Sequence, residues 1–356
     1  MADSNPTRFL SSQDGDDWAL SVEMFSGWVT QSFQATTLLW NSLGLGEGEG
    51  DAGPDVIMTK DVLGTGGRSH QFIMEADAPS PEHHTPGTEL MGQQFEFGEG
   101  NVTLDDILVS HAEVPLDQKI VSHFDVLERV ARARGRALAI EVDKRLIRLG
   151  LNAAYTSSLT KNGLTVHQGG NQVEETNGTS VAAEYVTSSV AGADKFIDNV
   201  DNLAQLMDED NVPDDIGARC LFITPYMRRV LQKQTNVFSR DFSTDENDLN
   251  KRSLGLLNGF MVFTTNHIPS TNIATGPSAY QGDFSRAGGG NGEPVALALC
   301  RTGGGSSGIG LVHAGGVQTA IFDDERRNTT FLKAQILMGA AVLHPWCAGV
   351  IHVDHS

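Results

Sequence analysis

The sequence holds only three cysteines, Cys220, Cys300 and Cys347, far apart and each in an apolar run, with no Cys-x-x-Cys pair. That excludes a disulfide framework and a cysteine zinc site, and buried free thiols are expected. No apolar run reaches the ~18 residues that a membrane helix needs. The first residues, MADSNPTRFLSSQDGDD, show neither a basic n-region nor an apolar h-region, so no secretion signal is expected. Cationic residues are scarce: 25 Lys and Arg stand against 45 Asp and Glu, a formal charge of −20. Such a surface repels phosphate backbones and argues against sequence-specific nucleic-acid binding. No Gly-Lys pair occurs, which excludes a P-loop, and no His-Glu-x-x-His occurs.

What is present reads as α+β, without a regular βαβ repeat or an internal sequence repeat. The 356 residues, 39% hydrophobic, suffice for one large or two modest domains. Asp17 is placed to cap a helix running to Trp40, with Trp18, Val22, Phe25, Val29 and Phe33 on one oily face. The acidic, glycine-rich linker GLGEGEGDAGPD follows. That helix therefore has no core of its own and must dock on this subunit or on a neighbour. Residues 56–103 alternate as strands around the proline-rich EADAPSPEHHTPGTEL. They predict a long hairpin with little core, marginal without a partner surface. Ile107–Gln118 reads as strand and turn.

Residues 121–155 predict one long helix, a rod of roughly 45 Å. Phe124, Leu127, Ala131, Leu138, Val142, Leu146, Leu149 and Ala153 mark a single stripe. Asp125/Arg129, Glu128/Arg132 and Glu141/Arg145 are acid-then-base pairs at i,i+4. Beyond this spine come an acidic helix ended by Pro213, the strand RCLFIT, a helix opened by Pro225, the strand LNGFMVFTTNHIP and a Gly/Ser loop over 270–293. The strands PVALALC and GIGLVHAG follow, then a helix TTFLKAQILMGAAVL stopped by His344-Pro345, and a final strand CAGVIHV.

RTGGGSSGIG, Arg301–Gly310, is the most enzyme-like stretch, because glycine turns after strands cradle dinucleotide phosphates. That fingerprint needs a helix after its last glycine, and the strand-like Leu-Val-His-Ala-Gly-Gly-Val follows instead. The expectation is a turn between two antiparallel strands. DEDNVPDD has Pro213 where a calcium loop needs glycine. His83-His84 falls in the proline-rich loop, and His352, Asp354 and His355 in a tail expected to be mobile. No catalytic, cofactor-binding or metal residue is assigned.

The leashed helix and the unsupported hairpin make sense against neighbouring subunits. A series of stretches in the same order then resembles the major capsid protein of short-tailed, T-seven-like double-stranded DNA phages. They are ALSVEMFSGWVTQSFQATT (19–37), GRSHQF (67–72), TPGTEL (85–90), residues 102–146 with Gly135 to Ala139 and Asp143 at matching spacing, ARCLFITPYMRRVLQ, LNGFMVFTTNHIP and GLVHAGGVQTAIF. The resemblance implies the Hong Kong-type capsid fold of tailed phages, herpesvirus shells and encapsulins. It divides the chain into an N-arm (1–54), an E-loop (55–100), a P-domain with the spine helix (101–160) and its return (318–356), and an A-domain (161–317).

The function so implied is structural: hexamers and pentamers of an icosahedral shell around double-stranded DNA, without sequence-specific binding. A scaffolding protein, a portal and a decoration or cement protein are the implied partners. No cofactor is implied, and the place is the virion after assembly in the host bacterial cytoplasm. Expected inter-subunit contacts are Trp18, Phe25, Val29, Phe33, Arg68, Phe72, Glu89, Arg129, Arg132 and Arg136. Phe25→Asp is expected to block assembly and leave the subunit soluble, and the acidic balance to make assembly depend on salt or divalent cations. The chain departs from the family pattern in Arg68 for lysine, in Thr88 within the Pro-Gly-Glu turn, and in 161–190 and 270–293, which match nothing placed. Lys60, the only lysine before Lys119, is the one candidate for a loop crosslink, and nothing argues for it. An encapsulin-type compartment shell, or a nucleotide-binding enzyme using Gly303–Gly310, are the alternatives.

Overall fold

The computed structural model describes residues 15–40, 56–115, 126–232 and 256–354, apart from 65–66, 76–80, 90–91, 93–96, 162–163, 167–168, 176–180, 182–184, 186–189, 213–218, 287–290, 302–306 and 325. Two sheets are organised around one long helix. In the first, β1 (Met58–Asp61) runs parallel to β14 (Ile309–Asp324), which pairs antiparallel with β15 (Thr329–Val342). β4 (Leu108–Pro115) closes the far edge, antiparallel to β15. The second sheet has the order β7 (Asn171–Glu175), β16 (Ala348–Val353), β13 (Glu293–Cys300), β8 (Arg219–Ile223), β10 (Phe260–Thr264) and β9 (Leu256–Leu257).

The period of two along each strand decides what the second sheet covers. Cys220, Phe222, Leu297, Leu299 and Val350 face the long helix α2 (Val126–Tyr155). Leu221, Ile223, Ala296, Ala298 and Ile351 face the opposite way, onto Phe196, Val200 and Leu203 of α3 (Val190–Glu209) and Met227 and Val230 of α4 (Pro225–Leu231). α4 starts as the sequence predicts: Thr224 caps the Met227 N–H and Pro225 fills the first turn.

α2 departs from its predicted single stripe. Its first half buries one side, with Ala131, Gly135, Leu138, Ala139 and Val142. Its second half is enclosed almost all round, burying Leu149, Gly150, Leu151, Ala153 and Ala154. There it leaves the first sheet and runs onto the second, and a Cβ on Gly150 would meet Leu297, Leu299 and Ile309. Phe124 and Asp125 lie outside the described residues.

The predicted hairpin is present as β2 (Ser69–Glu75) against β3 (Phe97–Thr103). Phe72 and Val102 join Leu104, Val312, Ala314 and Leu343 in a small cluster at its root. Ile73, the next residue out, is 72% exposed. Short hairpins β5 (Leu159–Lys161) with β6 (Leu164–Val166), and β11 (Asn272–Ile273) with β12 (Gly282–Asp283), occupy the stretches that match no family pattern.

Four expectations need correction. TTFLKAQILMGAAVL is no helix but strand β15: Leu332, Ala334, Ile336 and Met338 are buried at every second place while Lys333 and Gln335 alternate between them. Pairing on both edges overrides the helix-forming composition. LNGFMVFTTNHIP is a tight hairpin rather than one strand, because Asn258 and Gly259, with φ of 49° and 83°, form a two-residue turn between β9 and β10. α1 (Gly15–Thr36) begins two residues before Asp17, which therefore stands in the first turn, not at the cap. His352 and Asp354 are not in a mobile tail: His352 belongs to β16 and the Asp354 N–H donates to the Glu175 carbonyl at 3.0 Å. His355 lies outside the described residues.

Candidate functional site

β13 and β14 enter different sheets, so the stretch between them joins two sheets rather than neighbouring strands, and its described ends Arg301 and Ser307 form a bridge. The Ser307 hydroxyl donates to the Val56 carbonyl. A Cβ on Gly310 would stand 2.6 Å from Leu343 and 3.2 Å from Phe72, so this glycine admits the root of the β2–β3 hairpin. The chain then continues as β14, with no helix to meet a pyrophosphate. Asp323 and Asp324 end that same strand. Gly304, Ser306 and Gly308 also carry the Gly-x-Ser-x-Gly spacing. A nucleophile elbow turns from strand into helix, and here a strand follows.

Among the described residues no group of His, Cys, Asp or Glu is placed to hold a metal. Asp208, in the acidic run, pairs with the buried Arg219 at 2.6 Å, and Arg219 also donates to the Val212 carbonyl. His83 and His84 are exposed, whereas His352 is buried edge-on to Tyr155. The three cysteines are free and buried, and burial raises Cys220 to about 12. An inert thiol of this kind is no nucleophile.

The most constrained constellation is the crossing of α1 on α2. Phe25, Val29 and Phe33, each four residues from the next, are fully buried on one face of α1. Gly135 lets the helices meet: a Cβ there would lie 2.5 Å from the Val29 carbonyl oxygen and 3.2 Å from Ser32. The Ser32 hydroxyl donates to the Arg132 carbonyl at 2.7 Å. Past the end of α1, the Leu38 and Leu39 N–H groups donate to the two oxygens of Asp143 at 2.8 and 3.2 Å. Asp143 is fully buried on α2. Burial raises its pKa to about 7, against the pull of the two N–H donors. Trp40 then packs edge-on to Phe33 and against His313, whose own pKa burial lowers.

The sequence named Phe25, Val29 and Phe33 as contacts between subunits, and the chain covers them itself. The expected soluble Phe25→Asp subunit is therefore corrected. A charge at that position falls in the subunit's own core, so the variant is expected to be recovered as aggregate, with no soluble monomer in the supernatant. The side chain of Trp18 lies outside the described residues. Phe72 is likewise internal, at the hairpin root.

The remaining named residues are at the surface. Arg68 is exposed and forms no ion pair among the described residues, and its carbonyl accepts from the Leu104 N–H at 2.7 Å. Glu89 is exposed just past the turn Thr85–Thr88, where Pro86 and a Gly87 with φ of 95° give type II geometry. Arg129 and Arg136 are exposed, and Arg132 pairs with Glu128 at 2.8 Å. Sequence reasoning missed an aromatic stack across the first sheet, in which Phe331 lies between His111 and the exposed Phe322. Their alternation with polar neighbours along each strand was the available signal.

Residues 73–352 match the model of a family described as "Gp10A-like: Major capsid protein". A comparison with curated proteins yields no match. Among solved structures, the chain is similar to the capsid of the cyanophage P-SCSP1u, at 22% identity and TM-score 0.67, over 88% of this chain and 92% of that one. It is similar to the mature capsid of bacteriophage PhiM1 at 13% identity and TM-score 0.64, over 87% and 91%. A virus-like particle from Pyrococcus furiosus is similar at 10% identity and TM-score 0.52, over 93% and 99%. At these identities the likeness is one of fold.

Proposed function

The chain belongs to the Gp10A-like family of major capsid proteins, and on that premise we propose how its parts serve a shell. A major capsid protein is a structural component of the virion and associates with copies of itself. In our reading the copies form the hexamers and pentamers of an icosahedral phage head around double-stranded DNA. Scaffolding and portal proteins take part in assembly in the host bacterial cytoplasm, and a decoration protein is a further partner. The β2–β3 hairpin is the E-loop, the second sheet with α3 and α4 the A-domain, and residues 1–54 the N-arm. The first sheet and α2 are the P-domain. Because β1 and the start of β14 belong to that sheet, the P-domain takes in residues 58–61 and 309–317 besides 101–160 and 318–347, while β16 of the expected return goes with the A-domain sheet.

One observation carries this reading. Among the described residues the hairpin has a core only at its root, and Ile73, the next residue out, is the most exposed large hydrophobic. An arm of two strands is marginal alone, so a neighbour's surface is its expected support. Co-expression tests the reading. Closed, uniform particles are expected only when a candidate scaffolding protein is supplied, with irregular shells or tubes without it. Uniform small shells from the chain alone would favour a cellular compartment of the same fold instead.

A further inference from the structure

The cysteines are far apart in sequence, but the second sheet brings two of them together. β13 pairs with β16 so that Ala298 stands opposite Gly349 and Leu299 opposite Ala348. One place further, at the end of β13 and just before β16 begins, Cys300 meets Cys347. Side chains alternate along a strand, and both of these fall on the face packed against α3 and α4. The Cys300 Sγ donates to the Cys347 carbonyl oxygen at 3.2 Å. Cys220 is on the neighbouring strand β8, opposite Leu299, but its side chain faces α2 on the other side of the sheet.

Opposed residues of an antiparallel pair have Cα atoms about 4.5–5.5 Å apart. A disulfide spans about 4.4–6.8 Å, so this pair can be bridged without moving the backbone. Topology gives such a bridge a consequence. The chain leaves the second sheet at Cys300, builds β14 and β15 of the first sheet, and re-enters the second sheet after Cys347. A bond between the two sulfurs closes that 47-residue excursion at its neck. Closing a loop of this length restricts the unfolded chain far more than the folded one.

We infer that Cys300 and Cys347 form a latent cross-strand disulfide, reduced in the structure and closed by a peroxide oxidant, which staples the return strand β16 to β13. The step balances with hydrogen peroxide. One thiolate attacks a peroxide oxygen, the O–O bond breaks, and the departing hydroxide takes up the thiol's proton and leaves as water. The second sulfur attacks the sulfenic acid so formed: the S–S bond forms, the S–O bond breaks and a second water leaves. Two thiols and one peroxide become one disulfide and two waters. Both thiols are fully buried, and the Cys300 side chain together with burial holds the Cys347 thiol well above its usual pKa. Closure is therefore slow and proceeds when this last rung of the ladder frays. That suits a virion component, whose thiols stay reduced inside a cell and meet oxidant outside it. The capsid reading supplies only that occasion, and the chemistry of the pair stands without it.

The test incubates the full-length protein with hydrogen peroxide or with a reducing agent. The samples are then denatured in a thiol-alkylating reagent and digested for mass spectrometry. One linked peptide pair, Cys300 with Cys347, is expected after oxidation, with Cys220 alkylated. The oxidised protein is expected to melt roughly 5 °C above the reduced one. Cys347→Ala is expected to lose both the linked pair and the shift, and Cys220→Ala to keep both. Cys300→Ala replaces Cys347→Ala if that variant does not fold, and the wild-type peptides are decisive without either. Alkylation of all three cysteines after oxidation, a link through Cys220, or a link between two copies overturns the inference. So does a Cys300–Cys347 link that leaves the melting temperature unchanged or lowers it. Electron microscopy of the same samples reports shell formation separately, so a failure of the capsid reading is not mistaken for a failure of the staple.

Discussion

Gly135→Leu is expected to abolish the folded subunit. The Val29 carbonyl oxygen stands 2.5 Å from where even a Cβ would be, and it belongs to backbone, which cannot rotate away. Alanine at this position gains up to about 1 kcal/mol of helix propensity but forces α1 and α2 apart, at a cost of about 1–3 kcal/mol from overpacking. The four-carbon side chain of leucine cannot be accommodated by a shift of a few tenths of an ångström. It is expected to uncover Phe25, Val29 and Phe33 together, since all three are buried in the same crossing. Thermal denaturation of the purified subunit checks this. Gly135→Ala should melt several degrees lower and Gly135→Leu should show no cooperative transition. Ala137→Leu, on the exposed side of the same helix, should melt near wild type. If Gly135→Leu melts like Ala137→Leu, the helix crossing does not anchor α1.

Asp143→Ala is expected to be nearly as damaging by a different route. Alanine leaves the Leu38 and Leu39 N–H groups without their acceptor, and each such buried donor costs about 1–3 kcal/mol. Asp143→Asn keeps one acceptor oxygen and should lose about half as much. The same carboxyl sets a pH dependence. Its folded-state pKa is raised from 3.8 to about 7 because burial disfavours the charge. The unfolded chain therefore gives up this proton more readily than the folded one. The associated stability is fully present below about pH 4 and is lost as pH rises through about 7. Melting temperature should accordingly fall between about pH 4 and pH 7 in wild type, and Asp143→Asn should flatten that fall. Equal slopes in the two proteins would show that another group titrates.

The parts that sequence made legible are those where local pattern and packing agree. The α1 face, the Pro225 start of α4 and the strand RCLFIT each satisfy propensity and burial at once. β15 was misread because Leu, Lys, Ala, Gln and Met all favour helix, although Leu332, Ala334, Ile336 and Met338 already spell a period of two. Asn258-Gly259 is a hairpin signal inside a run whose hydrophobicity reads as one strand. The enclosure of the second half of α2 was not legible, since it depends on where the second sheet lies, and nothing local in Leu149–Ala154 says so. For the same reason periodicity identified Phe25, Val29 and Phe33 as a buried face but could not say which chain covers it. Gly135 and Asp143 stand out in the sequence only through the family resemblance, and their roles need the distances to Val29, Leu38 and Leu39.

The central claim is that this chain is the repeating unit of a closed protein shell. Negative-stain electron microscopy of the protein expressed alone and with a candidate scaffolding protein tests it most directly. Shells, tubes or sheets built on a lattice of hexamers are the predicted result. A small oligomer of one size under every condition would contradict the account.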